Sequence, residues 1–432
     1  MNNNIETKIE SLGTPKILSP LKYKSFVSDD QRILYDASLE NFNKYLKDKE
    51  EPLSFEIAGP RERIYFEPQK LKCAIVTCGG LCPGINNVIR AIVLELYFMY
   101  GVKNILGVKY GYQGLIPSFN HELMELNPEV VSNINEIGGS ILRSSRGIYD
   151  ISDIVDSLER LNINILFTIG GDGTLRGALK ITEETLKRGY KCAVIGIPKT
   201  IDNDINLVAK SFGFQTAVEA ASHAITSAHT EAIGAPNGIG LVKLMGRHSG
   251  FIAANSTLSL REVNFVLIPE MDFDLEGENG FLNVLKKRIL ERQHAVIVVA
   301  EGAGQKFFNP SELGKDKSGN QKLGAIGNFL KEKINTYFKK EKISINLKYI
   351  DPSYMIRSIP ANSNDSIFCG FLGQNAVHAG MAGKTGMIVG IWNNVNINIP
   401  IKSAIKKRKQ VNLDDKLWLS VLESTGQPSF KN

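Results

Sequence analysis

The chain has 432 residues, of which 43% are hydrophobic and 22% charged, so it is long enough to bury one large hydrophobic core or two of medium size. Its formal net charge of +6 is small for this length, and basic residues alternate with acidic ones, which argues against a nucleic-acid partner. The five cysteines are an odd number without metal-ligand spacing, and no apolar run reaches the roughly 18 residues that span a bilayer, so we expect a cytoplasmic location and no membrane partner.

Residues 1–70 differ in composition from the rest of the chain. They are rich in Asn, Lys, Ser and acidic residues, and one amphipathic helix signal lies at about 30–47. We predict an N-terminal extension that packs on the main body or on a neighbouring subunit.

From Leu71 onward, short apolar runs alternate with segments of helical spacing, which predicts mostly parallel sheets with helices. The predicted strands lie at 71–78, 104–108, 163–169, 192–197, 238–243, 265–269, 295–300 and 345–350. The predicted helices lie at 85–100, 151–161, 174–188, 214–230, 250–260, 279–292 and 326–338. The polar stretch 305–320 predicts a surface loop. The fold class is therefore α/β, and the second half of the chain predicts a second α/β domain.

Two short runs place glycines and acids directly after predicted strands. The run Thr-Ile-Gly-Gly-Asp-Gly-Thr occupies 168–174, and Ile-Pro-Lys-Thr-Ile-Asp-Asn-Asp occupies 197–204. Ligands bind at the carboxyl edge of open α/β sheets. Glycines there let backbone N–H groups approach phosphate, while acids hold a cation or accept a proton. The two runs together indicate phosphoryl transfer.

The acids in these runs also have a structural interpretation. Asp172 can cap the following helix, and residues 202–204 can form an Asx turn after Pro198. Their conjunction favours a site, because three carboxylates on two adjacent strand ends repel one another unless a cation or a proton shares their space. A magnesium ion that is held by few carboxylates and by substrate phosphates fits this pattern.

Two further glycine runs carry less information. Residues 382–385 are similar to the end of a phosphate-binding P-loop, but His378 stands where that motif needs its first glycine. The run 79–84 lacks the glycine order of a dinucleotide-binding fingerprint and is by itself an ordinary tight turn.

Several blocks occur in a familiar order along the chain. They are Gly79-Gly80-x-x-Pro83-Gly84-x-Asn86, Gly170-Gly171-Asp172-Gly173-Thr174, Pro198-Lys199-Thr200-Ile201-Asp202-Asn203-Asp204 and Met245-Gly246-Arg247. Through these blocks, the chain resembles the 6-phosphofructokinase family over about residues 71–400. Residues 59–66, 242–247 and 348–357 resemble its trypanosomatid-like, ATP-dependent branch.

The resemblance implies a fold and an activity. The implied fold has two Rossmann-like α/β/α domains with a cleft between them. The implied activity transfers the γ-phosphoryl group of MgATP to the 1-hydroxyl of fructose 6-phosphate, giving fructose 1,6-bisphosphate and ADP in glycolysis. We expect a nucleotide-binding domain at 71–213 that is joined by a returning segment at 356–400, a sugar-phosphate-binding domain at 214–355 and a C-terminal segment at 401–432.

The resemblance also implies roles for single residues. Asp202 matches the catalytic base, Thr200 a hydroxyl that contacts the transferring phosphoryl group, and Arg247 a third catalytic residue. Asp172 matches the magnesium carboxylate, and Asp204 is expected either to support the ion or to orient Arg247. The implied nucleotide-binding positions are Gly80, Tyr110, Arg146, Gly147, Gly171, Asp172, Gly173 and Thr174. The implied fructose 6-phosphate contacts are Thr200, Ile201, Asp202, Met245, Gly246, Arg247, Glu301, Lys348, Tyr354, Met355, Ile356 and Arg357.

Gly173 and Lys199 bear on the identity of the phosphoryl donor. Relatives that use pyrophosphate carry Asp at the position of Gly173, where a carboxylate would repel the α-phosphate of a nucleotide. Gly173 leaves room for ATP, whereas Lys199 is shared with the pyrophosphate-dependent enzymes. The trypanosomatid-like branch combines both residues, so ATP is the expected donor and pyrophosphate-dependent transfer is the alternative.

The chain departs from the bacterial relatives at two positions. Gly238 replaces an arginine that those relatives donate across a subunit boundary, and Lys243 is one candidate to take its place. Asn264 replaces an acid of the bacterial effector site, so the resemblance does not extend to bacterial-type regulation. The family implies a homotetramer.

Two other classes of protein stay open at this point. A diacylglycerol- or NAD-kinase-like enzyme shares the run 170–174 but lacks the block at 198–204. A catalytically silent regulatory subunit would be a binding protein, and such proteins lose the acids that this chain retains.

Overall fold

The structure is a computed structural model that describes residues 5–22, 25–48, 51–315 and 321–432. In chain order its strands are β1 Glu10–Ser11, β2 Ile17–Leu18, β3 Arg32–Leu34, β4 Ser54–Ile57, β5 Arg63–Ile64, β6 Lys72–Thr77, β7 Asn104–Val108, β8 Leu123–Glu125, β9 Ile165–Gly170, β10 Ala193–Pro198, β11 Gly238–Leu244, β12 Phe265–Leu267, β13 His294–Ala300, β14 Asn346–Ile350, β15 Lys384–Thr385, β16 Met387–Trp392 and β17 Val395–Pro400. Its α-helices are α1 Leu39–Asp48, α2 Ile85–Leu94, α3 Ile151–Arg160, α4 Asp172–Lys187, α5 Phe214–Ile233, α6 Phe251–Leu260, α7 Phe281–Arg292, α8 Pro310–Leu313, α9 Ile326–Lys340, α10 Ser353–Arg357, α11 Ser363–Met381, α12 Ile401–Ala404 and α13 Lys416–Thr425.

The described residues divide into two compact units. The first unit takes those within Met1–Thr200, Ile205–Gly213 and Ile359–Lys407. The second unit takes those within Ile201–Asp204, Phe214–Ser358 and Arg408–Asn432. The ligand assignments that the sequence suggests for each domain stay predictions.

The first unit is built on one sheet, whose strand order is β3-β4-β17-β16-β10-β9-β6-β7-β8. The pairs from β16 to β7 are parallel, and the pairs at both margins are antiparallel. The central strands are buried on both faces, which explains why their sequences are continuous apolar runs. The predicted α/β class with mostly parallel strands is confirmed.

Helices cover both faces of this sheet. On one face, Leu175 and Ile181 of α4 join Val76 and Val194 of the sheet in a single core. On the other face, α11 and α2 pack against each other, and a Cβ atom added at Gly373 would lie 2.6 Å from that of Ala91. Glycine is therefore required at this helix crossing, because any side chain would push the two backbones apart.

The N-terminal extension contributes strands to the sheet of the first unit. The helix predicted at about 30–47 is wrong in its first half, since Arg32–Leu34 forms β3 and pairs with β4, and only Leu39–Asp48 is helical. Tertiary pairing overrides the helical pattern here, because the short apolar stretch completes a sheet margin. The sequence also gave no signal for the antiparallel hairpin of β16 and β17.

A buried ionic cluster ties the extension to the returning segment. The carboxylate of Glu56 on β4 accepts hydrogen bonds from Lys384 Nζ at 3.0 Å, Arg61 at 2.8 Å and Asn398 Nδ2 at 2.7 Å. Asp29 accepts from Arg61 Nε at 2.8 Å and lies 3.0 Å from Lys384 Nζ. Partial burial raises the pKa of Asp29, but the two cations together outweigh it and lower the pKa below its usual value. Glu56, Arg61 and Lys384 are each less than a tenth exposed.

This cluster also explains the P-loop-like run at 382–385. Lys384 stands on β15 with 6% of its surface exposed, and its ammonium is paired with Glu56. Its contacts give the lysine a structural role rather than one in phosphate binding.

The second unit is built on a sheet of parallel strands in the order β12-β13-β11-β14. Phe281 of α7 and Leu330 of α9 form one core with Leu241 and Ile297 of the sheet. The C-terminal segment covers the β12 margin, where Gln427 exchanges two hydrogen bonds with the backbone of Val266, at 2.6 and 3.2 Å. These bonds satisfy backbone groups that an open sheet margin would leave unpaired.

Among the described residues, no helix combines the length and the apolar character that a bilayer crossing requires. In both units, the loops that follow the parallel strands meet at one edge of the sheet. These loops hold most of the residues that the sequence singles out, including those after β6, β9, β10, β11 and β13.

We expect Lys384→Met to destabilise the first unit. The substitution keeps the length of the side chain but leaves the buried Glu56 carboxylate with one cation fewer, at a cost of about 3 kcal/mol in the free energy of unfolding. Urea denaturation followed by circular dichroism measures the change. The matched control is Lys187→Met, because Lys187 is 79% exposed and pairs with Glu184 at the surface. Equal effects of the two variants would contradict the assignment of the cluster as a buried support.

Candidate active site

Two loops of the first unit meet beyond the end of β6. Ser144 Oγ donates to the carbonyl of Gly79 at 2.6 Å, and the Gly79 amide donates to the carbonyl of Ser145 at 3.3 Å. A Cβ atom added at Gly80 would lie 3.2 Å from a terminal nitrogen of Arg146. The structure thus brings Gly80 and Arg146 together, as expected for two nucleotide-binding positions.

Tyr110 lies in the loop after β7, in a left-handed backbone conformation with a φ of 62°. Its ring stacks on His121 at a centroid distance of 4.4 Å, and Arg143 donates a hydrogen bond to its hydroxyl. Ser145 Oγ donates to the Tyr110 carbonyl at 2.5 Å, which joins this loop to the segment that carries Arg146 and Gly147. The loop that carries Tyr110 is therefore bonded to Ser145, the residue directly before Arg146.

The run 170–174 forms the end of β9 and the start of α4. Gly171 occupies the N-cap position and Asp172 is the first helical residue, so Asp172 is not the N-cap and no side chain caps the start of this helix. The Asp172 carboxylate pairs with Arg176 at 3.1 Å and is 27% exposed. A Cβ atom added at Gly173 would meet nothing within 4 Å, whereas Thr174 is buried and its carbonyl accepts from Tyr112 at 2.8 Å. The start of α4 offers backbone N–H groups and a positive dipole to an anion.

Lys199 and Thr200 follow β10. Lys199 is 6% exposed, and its Nζ donates to the carbonyl of Gly80 at 2.6 Å. Its backbone amide donates to the carbonyl of Gly170 at 2.9 Å, while Ser211 Oγ donates to the carbonyl of Thr200 at 2.6 Å. Lys199 therefore connects the loops that follow β6, β9 and β10.

In the second unit, Asp202 is held by the loop that follows β11. The backbone amide of Arg247 donates to Asp202 Oδ2 at 3.2 Å, and Ser249 Oγ donates to the Asp202 carbonyl at 3.1 Å. Ile201 is 8% exposed, and Asn203 adopts a left-handed conformation with a φ of 55°. The tight turn therefore buries the Ile201 side chain and places the Asp202 carboxylate against the Arg247 amide.

The surroundings of Asp202 change its acidity. Burial and, after it, the like charges of Asp204 and Glu301 raise the pKa of Asp202 to about 7. The Arg247 amide and the charge of Arg357 oppose the rise. A carboxyl group with such a pKa exchanges a proton readily near neutral pH, as a general base must.

The turn 245–247 follows β11, and Glu301 follows β13. Of these residues, Arg247 bonds the Asp202 carboxylate through its amide, and Glu301 acts on it by its charge. Gly246 has a φ of 123°, and a Cβ atom there would lie 2.5 Å from the carbonyl of Ser249, so the turn requires glycine. Met245 is fully buried. Arg247 donates to the carbonyl of Gln321, whereas its Nε is buried and finds no acceptor among the described residues.

The predicted sugar-phosphate residues of α10 lie in varied positions. Tyr354 and Met355 are exposed, while Ile356 is 2% exposed, so its side chain packs inside the second unit. Arg357 Nε lies 3.3 Å from Met245 Sδ, which places its guanidinium beside the turn 245–247. Lys348 is exposed on the marginal strand β14, where its backbone pairs with Gly240 in the middle of β11 rather than with the turn 245–247.

Lys243 supports α10. Its Nζ lies 3.0 Å from Asp351 Oδ2, 3.0 Å from Ser353 Oγ and 4.0 Å from Glu301 Oε2. Gly238 cannot accept a side chain in this conformation, because a Cβ atom there would lie 2.0 Å from the carbonyl oxygen of Ala232. The backbone thus explains why no arginine stands at Gly238.

Two partners of Asp204 are not predicted by any pattern in the sequence. Arg408 lies 3.3 Å from Asp204 Oδ2, and the amide of Lys409 donates to the Asp204 carbonyl at 2.8 Å. Both partners come from a segment about two hundred positions further along the chain than Asp204, and no rule of sequence spacing connects residues so far apart.

The acidic residues can hold magnesium only together with other ligands. No group of three or more His, Cys, Asp or Glu side chains within the described residues could hold a metal ion. Magnesium is commonly bound by one or two carboxylates together with waters and substrate phosphates. The partly exposed Asp172 carboxylate, beside backbone groups suited to phosphate, fits an ion that arrives with a nucleotide.

Comparisons with known proteins agree with this chemistry. Residues 72–380 match the sequence profile of a family described as Phosphofructokinase. A Borreliella burgdorferi protein named ATP-dependent 6-phosphofructokinase is 54% identical to this chain, and the match covers 100% of the chain and 99% of the relative. A Trypanosoma cruzi protein of the same name is 43% identical, over 97% of this chain and 87% of the relative.

A solved structure shares the fold. The crystal structure of a pyrophosphate-dependent phosphofructokinase from Marinobacter aquaeolei has a TM-score of 0.67 and 17% sequence identity, over 82% of this chain and 91% of that chain. The family profile covers well over half of this chain, and the two relatives match this chain over nearly its whole length. The chain therefore belongs to the phosphofructokinase family.

Proposed function

We propose that this chain is an ATP-dependent 6-phosphofructokinase, a phosphotransferase that acts on an alcohol acceptor in glycolysis. The observation that carries the assignment is Asp202, a buried carboxylate that the Arg247 amide holds in place and whose pKa is raised to about 7. Relatives that carry this name are 43% and 54% identical to the chain over almost all of its length.

In the proposed step, Asp202 accepts the proton of the 1-hydroxyl of fructose 6-phosphate. The hydroxyl oxygen then forms a bond to the γ-phosphorus of ATP, and the bond from that phosphorus to the bridging oxygen breaks, which releases ADP. Charge develops on the phosphoryl oxygens during the transfer, so fixed donors carry much of the rate enhancement. We assign Thr200 and Arg247 to this role.

The loops of the first unit are suited to the nucleotide. We assign the phosphates to the Gly80 loop, to Arg146 and Gly147, and to the start of α4 from Gly171 to Thr174, with Tyr110 beside the base. Magnesium would be held by Asp172 and Asp204 with the phosphate oxygens, and it would neutralise charge on the transferred group. Lys199 keeps the Gly80 loop in register through its bond to the Gly80 carbonyl.

The second unit is suited to the sugar phosphate. The buried Arg247 Nε finds no acceptor among the described residues, and leaving such a donor unpaired costs about 1–3 kcal/mol, which a ligand oxygen would recover. We assign Met245, Gly246 and Glu301 to the sugar, and Tyr354 and Arg357 to its 6-phosphate. Ile201, Lys348, Met355 and Ile356 complete the proposed set, with Ile356 limited to backbone contact because its side chain is buried.

The proposal extends to assembly and location. We infer a homotetramer in the cytoplasm, as the family resemblance implies. The odd number of cysteines, each buried and free, agrees with a reducing compartment.

The choice of donor is tested with ATP and pyrophosphate in a coupled assay on fructose 6-phosphate. We expect turnover with ATP and little with pyrophosphate. In Gly173→Asp, we expect turnover with ATP to fall about tenfold or more, because the new carboxylate repels the nucleotide phosphates. A Cβ atom at Gly173 meets nothing within 4 Å, so the variant should keep the melting temperature of the parent.

Turnover with pyrophosphate but not with ATP would overturn the choice of donor while leaving the phosphoryl transfer intact. Absence of turnover with both donors would reject the enzyme assignment in favour of a silent, binding-only protein.

We expect Asp202→Ala to lower kcat by roughly a hundred- to ten-thousand-fold, because the proton of the attacking hydroxyl loses its acceptor. ATP binding, measured by isothermal titration calorimetry, should stay within about threefold of the parent, since the lost group acts in proton transfer. Asp153→Ala, at an exposed position on α3, is the matched control and should change neither quantity. A kcat within twofold of the parent removes Asp202 from the role of base.

The titration of Asp202 can be followed directly by carbon-13 NMR of its carboxyl group in the free chain without magnesium. We expect a midpoint near pH 7, identified by its loss in Asp202→Asn. Because the folded-state pKa is raised, the ionised form that acts as a base is present above this pH and is lost as the pH falls through it. Glu301→Gln removes one like charge and should lower the midpoint, and a midpoint near 4 in the parent would contradict the burial argument.

A further inference from the structure

The segment that begins at Arg408 lies against the turn that carries Asp202 and Asp204. Arg408 lies 3.3 Å from Asp204 Oδ2, and the Asp204 side chain is only 12% exposed. One residue on, the Lys409 amide donates to the carbonyl of Asp204 at 2.8 Å. The segment therefore holds both the side chain and the backbone of one residue.

The same segment continues along the loop that follows β11. Gln410 Nε2 donates to the carbonyl of His248 at 3.1 Å. The amides of Val411 and Gly250 donate to the same oxygen of Glu270, at 2.8 and 3.0 Å, so this carboxylate joins the segment to the start of α6. Lys409 Nζ lies over the ring of Phe251 at 5.2 Å.

These contacts join the two segments that define the position of Asp202, which are the loop after β11 and the turn 201–204. The loop after β11 supplies the Arg247 amide and the Ser249 hydroxyl that hold Asp202. The segment 408–411 contacts this loop at His248 and contacts the other side of the turn at Asp204. A displacement of the segment would therefore move Asp202 relative to Arg247.

Electrostatics gives Arg408 a specific part in this arrangement. The charge of Asp204 acts on Asp202 as a like charge in a poorly solvated place. A guanidinium beside Asp204 offsets that repulsion and fixes the direction of the carboxylate by a charge-assisted hydrogen bond.

We propose that Arg408 is a positioning residue for phosphoryl transfer, which acts through Asp204 to keep Asp202 against the Arg247 amide. The inference rests on the proposed function, since it concerns the rate of that reaction. Arg408 itself touches neither donor nor acceptor in this role. The segment 408–411 thereby becomes part of the catalytic apparatus of the second unit, although it lies far from the catalytic blocks in sequence.

The test uses Arg408→Gln in the full chain with ATP and fructose 6-phosphate. We expect kcat to fall about ten- to a hundredfold, since small displacements of reacting groups have effects of this size, with both KM values within about threefold of the parent. Arg408→Lys keeps the charge and should recover kcat to within about threefold of the parent. The matched control is Lys407→Gln, which removes an exposed neighbouring charge and should leave kcat unchanged.

Two kinetic outcomes would overturn the proposal. A rise in KM at unchanged kcat would assign Arg408 to substrate binding, and a kcat of Arg408→Gln equal to that of Lys407→Gln would leave it without a part in the reaction.

A second measurement separates this inference from the proposed function. Hydrogen–deuterium exchange of the free chain should be faster in Arg408→Gln than in Lys407→Gln for the peptide that covers residues 201–204, whatever the reaction is. Equal exchange in the two variants rejects the positioning role. A parent chain that lacks turnover rejects the proposed function alone.

Discussion

A carboxylate that is withdrawn from water beside two other carboxylates is unstable as an anion unless the chain supplies donors and cations. Asp202 is in this position, with Asp204 and Glu301 as its neighbours and with the Arg247 amide and Arg357 opposing their effect. The turn at Gly246 and the side chain of Ser249 follow from this constraint, because they bring the loop after β11 onto Asp202. The second unit thus holds a buried carboxylate whose pKa is raised toward neutrality.

The loops of the first unit meet under a different constraint, which is the close approach of one main-chain segment to another. These loops approach one another through glycines and through hydrogen bonds to main-chain carbonyls. The ammonium of Lys199 donates one of these bonds, to the carbonyl of Gly80. The family resemblance associates a lysine at this position with pyrophosphate-dependent relatives. The hydrogen bond from Lys199 to the Gly80 carbonyl suits a structural role, in which the lysine holds the Gly80 loop in place. Such a role is compatible with either ATP or pyrophosphate as the phosphoryl donor.

The sequence predicted those features that depend on local pattern. The alternation of apolar runs and helical spacing placed most strands and helices within a few residues, since buried parallel strands and amphipathic helices leave clear periodic signals. The blocks around Asp172 and Asp202 identified the strand ends that matter, and the family assignment that they suggested is confirmed. The roles of the single residues stay predictions.

What the sequence could not show depends on contacts between distant segments. Strand β3 forms because β4 offers a partner, and the contact of Arg408 with Asp204 joins residues 204 positions apart. Burial of Ile356 beside the exposed Tyr354 reflects how α10 packs against α5, which its short sequence does not encode alone. Neither periodicity nor motif spacing carries information of this kind.

The pairing of β4 with β17 has a consequence for biosynthesis. Glu56 and Asn398 are hydrogen-bonded across 342 positions of chain, so β4 leaves the ribosome long before its neighbour exists. During that interval, the groups of β4 that later bond to β17 have no partner strand, Glu56 lacks its bonds to Lys384 and Asn398, and the half-built sheet is open at this side. The sheet of the first unit is therefore completed late in translation, after every strand of the second unit's sheet has left the ribosome.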